Sequence, residues 1–224
     1  MKQSEVIRNR IKQAGGRFFA NDNIADFLLE GELEQLQFEV ECRVENLLDA
    51  LVIDTDNDHN TKGTAKRVAK MFMQEVYKGR YLPPPAITDF PNAMNLDQVY
   101  TLGPITVRSA CSHHLVPIIG QAWIGIIPSD RVIGISKFHR LTEWVMARPQ
   151  IQEEATVQLA DHIEKLVKPI ALAVVVKATH LCMTWRGVRE TETSMTTSVM
   201  RGAFRDSDAA RQEFFSIIKG QGYV

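Results

Sequence analysis

The chain has 224 residues, 45% of them hydrophobic and 24% charged, with a formal net charge of −1, which suffices for one large domain or a domain with an appended segment. Such balance excludes any global attraction to nucleic acid or an anionic membrane, so a phosphate-bearing ligand must be met by a local group of bases. No apolar run reaches the roughly 18 residues of a membrane span, the first twelve residues hold no secretory apolar stretch, and three cysteines make no disulfide framework, so we expect a reducing, cytoplasmic setting.

Residues 1 to 30 are weakly patterned and read as a short helix plus loop. From Gly31 the apolar residues Leu33, Leu36, Val40, Val44, Leu47 and Leu51 recur every three or four positions, which predicts an amphipathic helix. The polar stretch from Asp54 to Lys62 ends it. Thr64 is placed to cap a second helix in which Val68, Met71, Phe72 and Val76 share a face, and Gly79 supplies the stop. A turn-rich connection, Leu82 to Asn95, follows with three successive prolines and another at Pro91.

After about Val99 the pattern changes. Ile105 and Val107 alternate with polar neighbours, and Gln121 to Ile127 is a β-rich run closed by Pro128-Ser129-Asp130. Val132 to Ile135 reads as the returning strand. One helix carries Phe138, Leu141 and Val145. Pro149 separates it from another carrying Ala155, Leu159, Ile163 and Leu166. A strongly apolar strand, Ile170 to Cys182, precedes a Thr/Ser-rich strand near Thr191 to Val199 and a short C-terminal helix. The expected class is α+β with an antiparallel sheet, helices on one side of it, and a helical segment over residues 1–95 ahead of a domain over 96–224.

Chemistry concentrates in Cys111-Ser112-His113-His114 and His180-Leu181-Cys182. A Cys and a His three apart on a turn can bite one metal ion, and zinc takes thiolate sulfur and imidazole nitrogen readily. Positions i and i+2 of a strand project together, so Cys182 can join Cys111 and His114. Three protein ligands leave a fourth position open for water, the catalytic arrangement. His113 and His180 remain beside the metal as proton carriers. The Cys-x-x-His spacing alone is more often met by accidental or structural pairs. Cys42 lies within the amphipathic helix and reads as packing. Ser136 can cap the helix that follows it, with Lys137 and Arg140 on one face, a plausible polyphosphate site to which Arg186 and Arg67 could add. Taken alone, Lys and Arg on helices are usually solvated surface. Glu153 either favours a helix dipole or pairs with the ring N–H and amino group of a guanine.

The ordered motifs resemble the GTP cyclohydrolase I family. They run from Thr64-Ala65-Lys66-Arg67-Val68-Ala69-Lys70-Met71 through the Cys111 to His114 stretch, Val132 to Arg140, Arg148 to Glu153 and His180 to Val188, to Gly202-Ala203-Phe204. The resemblance spans about Leu33 to Ile218 and implies a tunnelling fold whose protomers join their sheets into an oligomeric barrel, usually a homodecamer, with active sites between subunits. It implies zinc on Cys111, His114 and Cys182, acid/base work by His113 and His180, a guanine anchor at Glu153, and a triphosphate held by Ser136, Lys137, Arg140, Arg186 and Arg67. The implied reaction hydrolyses the imidazole ring of GTP, releases formate and forms 7,8-dihydroneopterin triphosphate, with neither nucleic acid nor membrane as partner. The chain departs from the family at Ser112, where glutamate is usual. That leaves room for a paralogue opening another purine, and a zinc-stapled nucleotide-binding module is the non-enzymatic rival.

Overall fold

The computed structural model describes residues 2–223, which pack as two compact units, Met1–Pro83 and Pro84–Val224. The first is helical. It holds α1 (Gln3–Gln13), a short turn at Ala25–Phe27, α2 (Glu32–Ala50), α3 (Thr64–Lys70), a wider π-type continuation at Met71–Val76 and α4 (Lys78–Tyr81). Thr64 does not cap α3; Gly63 takes the cap position with a left-handed φ of 75°, a conformation that only glycine adopts freely. The core of this unit is small: Ile7, Ile11, Ile24, Leu36 and Met73. Of the periodic residues of α2 only Leu36 is fully buried. Leu47 and Leu51 stand 56% and 60% exposed, and Cys42 is exposed rather than packed.

Polar clasps complement this core. Arg10 meets Glu32 through two hydrogen bonds of 2.6 and 2.7 Å, and the guanidinium holds the Glu32 carboxyl down at about 2. Arg80 donates to the main-chain carbonyls of Phe18, Phe19, Ala20 and Asp22 and so fixes the loop they form.

The second unit contains β1 (Asp89–Pro91), β2 (Tyr100–Cys111), β3 (Pro117–Ile127), β4 (Arg131–Ile133), α5 (Ile135–Met146), β5 (Pro149–Gln150), α6 (Gln152–Val167), β6 (Ala171–His180), α7 (Leu181–Thr184), β7 (Met195–Gly202), α8 (Ala203–Asp206) and α9 (Asp208–Gly220). Residues 84–95 group with this unit because β1 pairs with β4. The main sheet has the order β5-β2-β3-β6-β7. Its pairings are antiparallel except β2 with β5, which is parallel. β4 is therefore not the strand that returns into this sheet: it is three residues long and among the described residues pairs only with β1, and Ile135 already begins α5.

The helices lie on both sides of the sheet, not on one. Leu172, Val174 and Val176 of β6 pack with Phe138, Leu141 and Val145 of α5 and Leu159 and Ile163 of α6. The alternate residues Ala171, Ala173 and Val175 pack with Trp123, Phe204, Phe214 and Ile218 on the opposite face. This two-sided burial explains why β6 reads as an unbroken apolar run instead of an alternating one. Gly125 makes room for the second layer, since a Cβ there would come within 2.4 Å of the Phe214 ring.

Candidate metal centre and substrate site

The end of β2 turns into β3 through Ser112, His113, His114 and Leu115. The Leu115 N–H donates to the Cys111 carbonyl at 2.8 Å and the Cys111 N–H to the Val116 carbonyl at 2.9 Å. Leu115 closes the turn with a left-handed φ of 57°, an uncommon conformation for a branched residue that needs surrounding structure to hold it. His113 and His114 are left exposed on the turn, while Cys111 is buried beneath it among Ile118, Ala178 and Cys182.

Cys182 arrives differently from the strand geometry expected. β6 stops at His180, and Cys182 sits in the short helical turn α7. The turn still delivers its sulfur: the ligand atoms of Cys111, His114 and Cys182 all lie within 4.8 Å of one another. The His114 Nδ1 is 3.9 Å from the Cys111 sulfur. Burial, with the Cys111 thiol beside it, raises the Cys182 thiol above its ordinary value. Two soft sulfurs and an imidazole nitrogen at this spacing form a donor set suited to tetrahedral zinc with one position left open.

The surroundings come from three more elements. β5 runs parallel to the end of β2, with Gln150 opposite Cys111. The Ser112 N–H donates to the Gln150 carbonyl at 3.2 Å, and the Gln150 side chain ties down the end of α5 by donating to the Val145 and Met146 carbonyls. This hooks the start of α6 to the cysteine turn. Glu153 stands exposed in the first turn of α6. Burial lowers the His180 imidazole below its ordinary value, and the Glu153 carboxylate opposes that. Arg186 Nη1 lies 3.4 Å from His114 Nε2.

Other residues named from the sequence have separate surroundings. Ser136 is not the cap of α5. Gly134, with φ −64° and ψ 141°, holds that position, and Ser136 is an exposed residue of the first turn. Lys137 Nζ donates to the Ala86 carbonyl at 3.2 Å, and Arg140 is exposed. Among the described residues no hydrogen bond or ion pair joins these three to the cysteine cluster. Arg67 belongs to the helical unit, where its guanidinium donates to the Asn60 and Lys62 carbonyls and to Thr64 Oγ1. The sequence singles out Glu153 in its stretch, yet the side chain that touches His180 is the preceding Gln152, whose Oε1 lies 2.8 Å from His180 Nε2.

Residues 40–219 match the family model described as GTP cyclohydrolase I. The protein named GTP cyclohydrolase 1 from Flavobacterium johnsoniae is 41% identical over 79% of this chain and 78% of its own length. Proteins of the same name from Aliivibrio salmonicida and Erwinia tasmaniensis are 35% and 37% identical, over 83% and 77% of this chain and 86% and 78% of their own lengths.

Proposed function

The chain belongs to the GTP cyclohydrolase I family, and from that premise we propose that it hydrolyses the imidazole ring of GTP with zinc, releasing formate and forming 7,8-dihydroneopterin triphosphate. The observation that carries this reading is the meeting of Cys111, His114 and Cys182 within 4.8 Å, a set with the donor chemistry of a catalytic zinc site. When bound, zinc supplies Lewis acidity and a water made acidic near neutral pH.

The remaining steps fall to the protein. Glu153 anchors the guanine by accepting from its ring N–H and amino group. His113 and His180 move protons at the ring that opens, imidazole being the side chain that titrates in the useful range. Ser136, Lys137, Arg140 and Arg186 hold the triphosphate, the arginines as bidentate donors and Lys137 as a point charge. The unit around the main sheet is the catalytic one. The outer strand β7 leaves a sheet edge that must be covered or paired, which supports a tunnelling-fold ring of many copies, a homodecamer by family resemblance, working in the cytoplasm.

The test is to incubate the zinc-loaded protein with a panel of purines and nucleotides and to measure formate and identify the products by mass. Formate from GTP together with a pterin triphosphate is expected. Formate from another purine only would transfer the assignment to that purine and make Ser112 the first position to change. No formate from any purine, with one zinc per chain in place, would sink the enzymatic reading in favour of a zinc-stapled binding module.

A further inference from the structure

Gln152 opens α6 and is 3% exposed. Its Nε2 lies 3.0 Å from the Val176 carbonyl, 3.1 Å from the Met195 carbonyl and 3.1 Å from Thr197 Oγ1, and its Oε1 lies 2.8 Å from His180 Nε2. The polarity of this network follows from which groups can only accept. Main-chain carbonyls have no proton to give, so the amide nitrogen must face Val176 and Met195 and the amide oxygen must face His180.

The hydroxyls agree. Thr156 Oγ1 donates to the Gln152 carbonyl at 2.7 Å and lies 2.7 Å from Thr197 Oγ1. Thr156 has spent its one proton on that carbonyl, so Thr197 donates to Thr156 and offers its own lone pair to Gln152. An amide oxygen accepts only, and the imidazole nitrogen facing it must therefore carry a hydrogen. In the neutral ring the lone pair is then on Nδ1.

We propose that Gln152 is a positioning residue for the ring-opening reaction: it pins His180 as the Nε2–H tautomer, so that every proton His180 takes or gives passes through Nδ1. The kinetic consequence rests on the reading of His180 as a proton carrier; the tautomer does not. The amide fixes the ring through a neutral acceptor. The anchor points are rigid, because Val176 belongs to β6 and Met195 and Thr197 to its neighbour β7. The orientation of one catalytic ring is thus set by the sheet.

Nitrogen NMR of zinc-loaded protein labelled in its histidine rings decides the tautomer, with the His180 signals identified by their loss in His180→Asn. On the alkaline side of its titration wild type should show a single neutral form protonated on Nε2. Gln152→Met, which keeps the length but not the acceptor, should show mixed tautomers. It should also lower kcat by about 10–100-fold, the size of effect seen when an outer partner of a site is removed, with KM for GTP and zinc content unchanged. Gln152→Glu should recover part of the loss. A carboxylate between two carbonyls is held protonated and still accepts from His180 while donating to one of them. A wild-type His180 protonated on Nδ1 would overturn the proposal, as would an unchanged kcat in a Gln152→Met protein whose tautomer is lost. Beyond the His180→Asn protein that identifies the signals, the wild-type spectrum requires no turnover of GTP, so it fails or succeeds independently of the proposed activity.

Discussion

The helical unit and the sheet unit of this chain are built to different standards. The sheet unit buries β6 on both faces, one under α5 and α6 and the other under α9, so its residues from Ala171 to Val176 contribute alternately to one core or the other. The helical unit has five fully buried apolar residues in its core cluster. It depends on clasps such as Arg10–Glu32 and Arg80 with its four carbonyls, and it leaves Phe38, Leu47, Leu51 and Val52 exposed. A two-sided sheet over-determines its residues, and the candidate metal cluster, through Cys111, and the His180 network both adjoin its strands. A helix pair with one thin seam fixes its residues less tightly.

This contrast breaks most visibly through the cysteines. Cys111→Ser and Cys182→Ser, in the sheet unit, should lose the zinc and with it all measurable formate release, while Cys42→Ser, in the helical unit, keeps both. Elemental analysis after gel filtration is the check, and a Cys42 variant as depleted as the other two would abolish the division of labour. Next in size, His113→Ala should lower kcat by about 10²–10⁴-fold, the usual worth of a positioned acid or base, without loss of metal or of GTP affinity. A steady-state formate assay separates kcat from KM here.

Stability supplies the third comparison. Phe214→Ala empties a site that is 0% exposed and should cost about 3–5 kcal/mol. Leu51→Ser, at a position 60% exposed, should stay within about 0.5 kcal/mol for the protomer. Urea unfolding followed by tryptophan fluorescence and circular dichroism would give both numbers, and equal losses would mean that the helical unit is as tightly packed as the sheet. The smallest effect concerns acid. Glu32 is depressed from 4.5 to about 2 by Arg10, so its contribution to folding is whole above pH 4.5 and disappears as pH falls toward 2. Wild type should lose melting temperature across that window more steeply than Glu32→Gln, which forfeits the contribution at every pH. Parallel slopes for the two proteins would show that the clasp is not what acid removes.

Much of this molecule is legible in its residues. The 3.6-residue spacing of Phe138, Leu141 and Val145 and of Ala155, Leu159 and Ile163 places α5 and α6, and the apolar run after Ile170 places β6, because periodicity records how many sides of an element are covered. The donor types at Cys111, His114 and Cys182 are equally legible, since sulfur and imidazole nitrogen select the same metals wherever the chain carries them. What periodicity does not record is which covered surface meets which. The exclusion of β4 from the main sheet and the layer formed by α9 were decided by pairing, as was the helical turn that delivers Cys182 in place of the expected strand. Gln152 is the sharpest case. An amide between isoleucine and glutamate in a helical stretch has no preferred direction of its own. Only the carbonyls of Val176 and Met195, 24 and 43 residues away in the chain, turn its oxygen toward His180, because those carbonyls can accept a hydrogen bond and cannot give one.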